Sequence, residues 1–183
     1  MKNVIICGDC GDRLLTKSII SACKNHGGVL VLNGGNIYQT SDGAEYLVVC
    51  VNSLTEADCS AVLVMGEALC QIPPALSLNG VTAVSESSNT DALKILSRTG
   101  VPVVGCSSSV MDTMTLSCIS GNYMMISLQR PLSALSGKII EPCEIIVRCN
   151  EGQQLYPALA ACCTLLLCGV PYENGYDLTE YPD

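Results

Sequence analysis

The chain opens on Asn3-Val-Ile-Ile-Cys7, an unbroken apolar run rich in β-branched residues that stops at Gly8. Runs of this kind fit strands buried on both faces of a parallel sheet. From Asp12 to Lys24 the period changes. Leu14, Leu15, Ile19, Ile20 and Cys23 recur at helical spacing, with Asp9 or Asp12 placed to cap the helix and His26-Gly27-Gly28 to end it. Residues 29–32 return to a continuous apolar run, so the opening reads as β-α-β with a right-handed crossover. Apolar runs at 46–51, 61–65, 81–84 and 101–104 predict four more strands. Between the last two, Ser88-Asn89 starts a helix over 90–97, and Gly100 closes it. The pattern predicts an α/β fold, a doubly wound, mostly parallel sheet of about six strands.

Beyond Gly105 the helices drop out. Segments 114–119, 123–128 and 139–147 are strand-like, and Gly121-Asn122 joins the first two tightly, which predicts a small antiparallel meander. A C-terminal helix over 153–168, stopped by Gly169 and Pro171, closes the fold. The expected organisation is one α/β domain over 1–171. It comprises a parallel core (1–110), an antiparallel subdomain (111–148) and a closing helix segment (149–171). An acidic, Tyr-bearing tail over 172–183 is expected as a surface strap or frayed end.

Composition narrows the class. The 183 residues are 49% hydrophobic and 14% charged, which excludes a disordered chain and suffices for a sizeable core. There are 13 Cys, no Trp and no Phe, so the core is built from Leu, Ile, Val, Ala, Met and Cys. The cysteines are odd in number, sit mostly in apolar runs and follow no secretory signal. They read as free, buried thiols of a cytoplasmic protein. The net charge is −8, and five of the acidic residues follow Arg148, the last basic one. With no basic stripe, nucleic acid is not an expected partner. The longest apolar stretch, 157–170, is too short to span a bilayer. No charged rim marks the sheet edges, so a homodimer stays open.

Three constellations could carry chemistry. The first strand–helix junction, Cys7-Gly8-Asp9-Cys10-Gly11-Asp12, leads to Thr16-Lys17-Ser18. Gly11-x4-Thr16-Lys17-Ser18 has the spacing of a phosphate loop, with Lys for the phosphate charge and Ser for a metal, yet Thr16 replaces the second glycine. ATP with magnesium is the cofactor such a loop requires. The same segment holds Cys7 and Cys10 as a CxxC near a helix start, where a thiolate is stabilised and redox chemistry becomes possible. No second cysteine pair offers a zinc spacing, so no metal site is expected. The loop after the 101–104 run carries Ser107, Ser108, Ser109, Asp112 and Thr113 at the carboxyl end of a strand, where doubly wound sheets bind ligands. It reads either as an anion-binding loop or as a turn capping its own backbone. The single His26 suits a helix C-terminus, and without a second His no hydrolytic triad can be assembled.

The order of segments resembles the central, ATP-binding domain of the Mur ligases, which join amino acids to cell-wall precursors. The likeness rests on the first-strand loop and on 81–91 with Asn89-Thr90-Asp91. It continues through 101–105, the meander, and Tyr156-Pro-Ala-Leu-Ala-Ala161 to Leu167-Cys-Gly169. The stretch 101–142 is also similar to small proteins of clostridial-type bacteria. The Mur resemblance implies a nucleotide site formed by Gly8, Gly11, Lys17, Ser18, Asn89 and Asp91. The departures are as informative. The family's Gly-Lys-Thr/Ser is Thr16-Lys17-Ser18 here, and Gln153-Gln154 stands where its closing helix opens with His-Asn. Glu67 is the one carboxylate near the end of the fourth strand, and no domain presenting the amino acid is expected after the closing helix.

The leading expectation is therefore a bacterial, cytoplasmic, Mur-ligase-like domain without intact catalytic motifs. It binds a small molecule or a protein partner, such as a cell-wall ligase. The alternatives are an ATP-dependent amide ligase or nucleotide hydrolase with a non-standard phosphate loop, and a thiol redox protein using Cys7 and Cys10.

Overall fold

Strand β1 (Lys2–Cys7) turns Val4 and Ile6 to one face of a sheet and Cys7 to the other, and both faces are covered, as its unbroken apolar run requires. The computed structural model describes residues 1–8, 13–40, 43–67 and 76–179. Helix α1 (Arg13–Asn25) leads to β2 (Gly28–Asn33), its hairpin partner β3 (Asn36–Gln39), and β4 (Ala44–Val51), which returns between β1 and β2. Then come β5 (Glu56–Met65), β6 (Ser77–Glu86), helix α2 (Thr90–Leu96) and β7 (Val103–Ser107). The remaining strands are β8 (Met114–Ser120), β9 (Tyr123–Leu128), a small hairpin of β10 (Leu132–Ser133) and β11 (Ile139–Ile140), and β12 (Cys143–Arg148). Helix α3 (Leu155–Leu167) and β13 (Tyr176–Asp177) complete the order.

All strands except β10 and β11 form one 11-stranded sheet in the order β13-β12-β9-β8-β7-β6-β5-β1-β4-β2-β3. The run from β8 to β2 is parallel, and β8, β9 and β12 continue it as the antiparallel meander. Helices α1 and α3 cover one face over a large cluster that includes Val4, Ile6, Ile19, Val48, Ile126 and Leu159. Helix α2 covers part of the other, over Cys7, Leu63, Met65, Val81 and Ala83. Helices on both faces of a mostly parallel sheet make this the expected α/β fold. Helix α3 is apolar all round and buried from Tyr156 to Leu167, as a helix lodged between sheet and neighbours must be.

Several local expectations shift. The strand expected at 101–104 is β7, Val103–Ser107, because Pro102 lacks an N–H for the ladder. The strand expected at 139–147 divides at Glu141-Pro142, and its two parts join different sheets. On α1 the buried set is Leu15, Thr16, Ser18, Ile19, Ala22 and Cys23, while Leu14 is exposed. The core face is thus rotated toward the hydroxyl residues, since α1 packs on α3 as well as on the sheet. The tail over 172–179 is a docked strap. Tyr176 is buried, Leu178 N–H donates to Arg148 O (2.8 Å), and Asn25 Nδ2 donates to the carbonyls of Asp177 and Thr179.

One connection has an unusual solution. Val51 ends β4 beside Cys7, yet Glu56 begins β5 five residues before Ala61, the partner of Asn3. A straight β5 would place Glu56 about 30 Å below Val51, whereas five residue steps reach at most about 18 Å. The strand therefore bends. Residues 56–58 pair with 77–79 of β6, and Ala57, Leu54 and Leu78 pack on the Cys7 face. Gly80 makes the corner of β6 with φ +71°, and an added Cβ would stand 3.1 Å from Cys59 O. A folded-over strand pair does the covering that crossover helices usually do.

Candidate functional site

In a doubly wound sheet the ligand crevice opens at the carboxyl ends of the strands, beside the point where the winding reverses. Here the chain winds one way from β1 through β4 to β2 and the other way through β5, β6 and β7. The reversal lies between β1 and β5. Residues 9–12, with Cys10 and Gly11, and residues 68–75 lie outside the described residues. Gly8 N–H donates to Val51 O (3.1 Å), and Gly66 N–H donates to Cys7 O (2.8 Å), so the strand ends themselves are tied together.

Of the other residues implied for a nucleotide, Asn89 reaches that point through Gly66 at the end of β5. Lys17 is the fifth residue of α1 and exposed, one turn past the helix start where a phosphate would be cradled. Ser18 is 3% exposed, and its Oγ accepts from Gln153 Nε2 (2.9 Å), so it joins α1 to the lead-in of α3. Asn89 is committed twice. Its Oδ1 caps α2 by accepting from Ala92 N–H (3.0 Å), and its Nδ2 donates to Gly66 O (3.0 Å). Asp91 is exposed and pairs with Lys94 at 3.5 Å. A shallow cavity of about 300 Å³ beside these residues is lined, among the described residues, by Glu67, Glu86 and Asp91 and by no cation. Cys7 is 2% exposed and packs in the core. Burial of this kind works against a reactive thiolate at Cys7, while its CxxC partner Cys10 lies outside the described residues.

What the fold does assemble lies two strands away. Loop 108–113 joins β7 to β8 and drops back only to the level of Gly105, where Thr113 N–H donates to Gly105 O (3.1 Å). Asp112 therefore passes close over β7. Its two carboxylate oxygens accept hydrogen bonds from Ser87 Oγ and Ser107 Oγ. An added Cβ on Gly105 would meet Ser87 Oγ at 2.8 Å and Asp112 Oδ1 at 2.9 Å, so glycine is what lets this lock close. Ser107 Oγ also accepts from Ser109 N–H (2.9 Å), and Ser109 Oγ accepts from Met111 N–H (3.2 Å). The loop caps its own backbone, which takes up the hydroxyls of Ser107 and Ser109.

A cavity of about 480 Å³ opens between this loop and the start of α3. Glu86, Ser87, Ser88, Ser107, Asp112 and Tyr156 line its polar side, and Met111, Leu155 and Leu159 add apolar wall. Tyr156 OH donates to Met65 O across the sheet end, and burial, with Glu86 and neighbouring thiols, holds its phenol well above the usual range. Among the described residues the lining carries two carboxylates and no Lys or Arg. Those carboxylates weigh against an anion beside Ser107, Ser108 and Ser109. A group that donates hydrogen bonds or carries positive charge fits instead. Sequence reasoning named the loop but missed Glu86, Ser87 and Tyr156. The signal was the run Ser85-Glu86-Ser87-Ser88, which ends the neighbouring strand at the same edge.

No protein-family profile matches the chain, and no curated protein matches its sequence. Solved structures do match in shape. The ligase for UDP-N-acetylmuramoyl-L-alanyl-D-glutamate and 2,6-diaminopimelate superimposes over 94% of this chain with a TM-score of 0.59 and 7% identity. MurF from Acinetobacter baumannii covers 95% with a TM-score of 0.55 and 11% identity. MurF from Thermotoga maritima, solved with ADP, covers 94% with a TM-score of 0.52 and 13% identity. The fold is that of the Mur ligase central domain. The chain spans 44% to 46% of the length of these structures. At such identity the Mur likeness extends to the fold, and the site must be argued from its own residues. No helix of the described residues is long and apolar enough to cross a membrane.

Proposed function

We propose that this chain is a Mur-ligase-like binding domain. It holds a small, hydrogen-bond-donating ligand, such as an amine, in the cavity at the carboxyl ends of β6 and β7, and it does not run ATP-dependent ligation. The observation that carries this reading is the lock of Ser87 and Ser107 on Asp112 over Gly105, which builds a defined polar wall at a position the fold favours for ligands. Against ligation stand the placements of Lys17, Ser18 and Asn89, two of which are spent on packing and capping. A cytoplasmic setting, and a cell-wall ligase as protein partner, belong to the same proposal.

Titration calorimetry with ATP and ADP, with and without magnesium, tests it. The expected result is no saturable heat at millimolar nucleotide. A thermal-shift screen with amino acids and diamines should raise the melting temperature, and Asp112→Asn should abolish the rise. Saturable, magnesium-dependent ATP binding would restore the ligase or hydrolase alternative and end this reading.

A further inference from the structure

Strand β8 joins the sheet late. Its first residue, Met114, lies opposite Cys106 of β7 and Leu128 of β9. Thr113 is the last rung, with its N–H on Gly105 O (3.1 Å) and its C=O accepting from Gln129 N–H (2.8 Å). Ahead of Thr113 the chain has left the row for the loop over Gly105. The chain of β7 and the chain leaving β9 both run on past that rung, so no described residue fills the row between them where β8 would have continued. At the Thr113 rung each is one strand spacing from that row, which sets about 9.6 Å between the flanking backbones there, the width of one extended chain. A cavity of about 680 Å³ occupies this slot. Residues 101–104 form one side, 130–132 the other, and Thr113 the closed end.

The β7 side offers unpaired backbone. Ala83 N–H donates to Pro102 O (2.9 Å), which turns Pro102 and Val104 toward β6. Alternation then turns the N–H and C=O of Val103 toward the slot. Among the described residues no backbone group pairs with Val103 on that side, and the residue is 37% exposed. An exposed strand edge with open N–H and C=O groups is the surface to which an incoming strand can add. The slot also has a polarity. Arg130 is the one charged residue among the described residues of its lining, and it follows Gln129, the partner of Thr113 at the closed end. Leu78, Pro131, Leu132 and Leu135 make the rest of the wall largely apolar.

We propose that this slot is a docking site for the carboxyl-terminal end of an extended peptide. The peptide is about four residues long, matching 101–104 in reach. It runs parallel to β7 along the line of β8, which brings its terminal carboxylate to the closed end beside Arg130. Backbone pairing with Val103 holds it, Arg130 selects the free carboxylate, and the apolar wall favours apolar side chains. The site lies at the amino ends of β6 and β7, opposite the serine–carboxylate cavity, and does not depend on that cavity's ligand.

A random tetrapeptide library with free carboxyl ends, labelled at the amino end, tests this against the same library amidated at the carboxyl end. Members of the free-acid library should be retained on the full chain at least tenfold over their amidated twins. Arg130→Glu should remove the preference, Val103→Pro should weaken retention at least tenfold, and Lys94→Ala on exposed α2 should leave it unchanged. Hydrogen exchange at the Val103 amide of the unmodified protein should slow at least tenfold when a retained peptide is bound, a reading that stands even if Val103→Pro unfolds. Equal retention of the amidated library, retention unaffected by Arg130→Glu, unchanged Val103 exchange, or no retention at millimolar peptide would each overturn the proposal.

Discussion

Gly105 is the residue on which the serine–carboxylate cavity turns. Its backbone is ordinary strand, and what it supplies is the missing side chain beneath Ser87 and Asp112. Gly105→Ala should therefore displace the Asp112 loop. The expected cost is about 1–3 kcal/mol in a urea unfolding curve, the range for losing half-buried hydrogen bonds to a carboxylate. Gly137→Ala meets open space but has φ +83°, so its cost should come from backbone strain alone and leave the loop in place. If Gly105→Ala is neutral, the lock is looser than described. The hydroxyl lock was not legible in the sequence, because Ser87 and Asp112 stand 25 residues apart and meet only through the neighbouring positions of β6 and β7.

At the scale of elements, the strap over 172–179 shows how a polar tail acquires a structural role. Its acidic, Tyr-bearing composition reads as surface, and the exposed part is surface. Tyr176 nevertheless packs edge-on against His26 (ring centroids 5.3 Å apart), and Asp177 N–H points to His26 Nε2 at 3.4 Å. Burial lowers the His26 pKa below its ordinary 6.5, Asp177 opposes that shift, and Lys2 adds to it. The folded state therefore binds the proton less well than the unfolded chain. Its stability is full above pH 6.5 and falls as the pH drops from there toward the folded pKa. His26→Gln should flatten the stability curve below pH 6.5, with the change bounded by about 1.4 kcal/mol per pH unit. Denaturant titrations at a series of pH values would show it, and an unchanged slope would mean that the strap does not sense His26. Elements with strong periodicity, such as α1, the meander strands and the closing helix, were readable within a few residues. Strand β3, the folded-over ends of β5 and β6, and β13 were not, because their short or polar segments gain strand form only from the neighbours they pair with.

For the whole molecule, the cysteines report how completely the core closes. Of the eleven described, eight are buried, and only Cys59 and Cys118 are exposed. Burial pushes Cys168 up to about 11 and raises Cys23, Cys149 and Cys162, while Cys106 is raised foremost by its hydrogen bond with Cys163. With maleimide near pH 7.5, Cys59 and Cys118 should label within minutes, and the eight buried thiols should wait for global unfolding. Mass spectrometry of timed samples checks this. Early labelling of Cys7 would revive the thiol redox alternative.

The α/β class, the order of parallel strands and meander, and the all-apolar closing helix are written in hydrophobic periodicity, because burial on one face or two is a local property of each run. The Mur-like segment order is legible for the same reason. The candidate sites belong to tertiary structure. Ser18 is a packing residue because α1 rotates toward α3, and the serine loop became an acidic cavity once Glu86 and Asp112 met at one sheet edge. The peptide slot exists because β8 enters its row only at Met114. Each depends on residues distant in sequence, and the strand order decides which of them become neighbours.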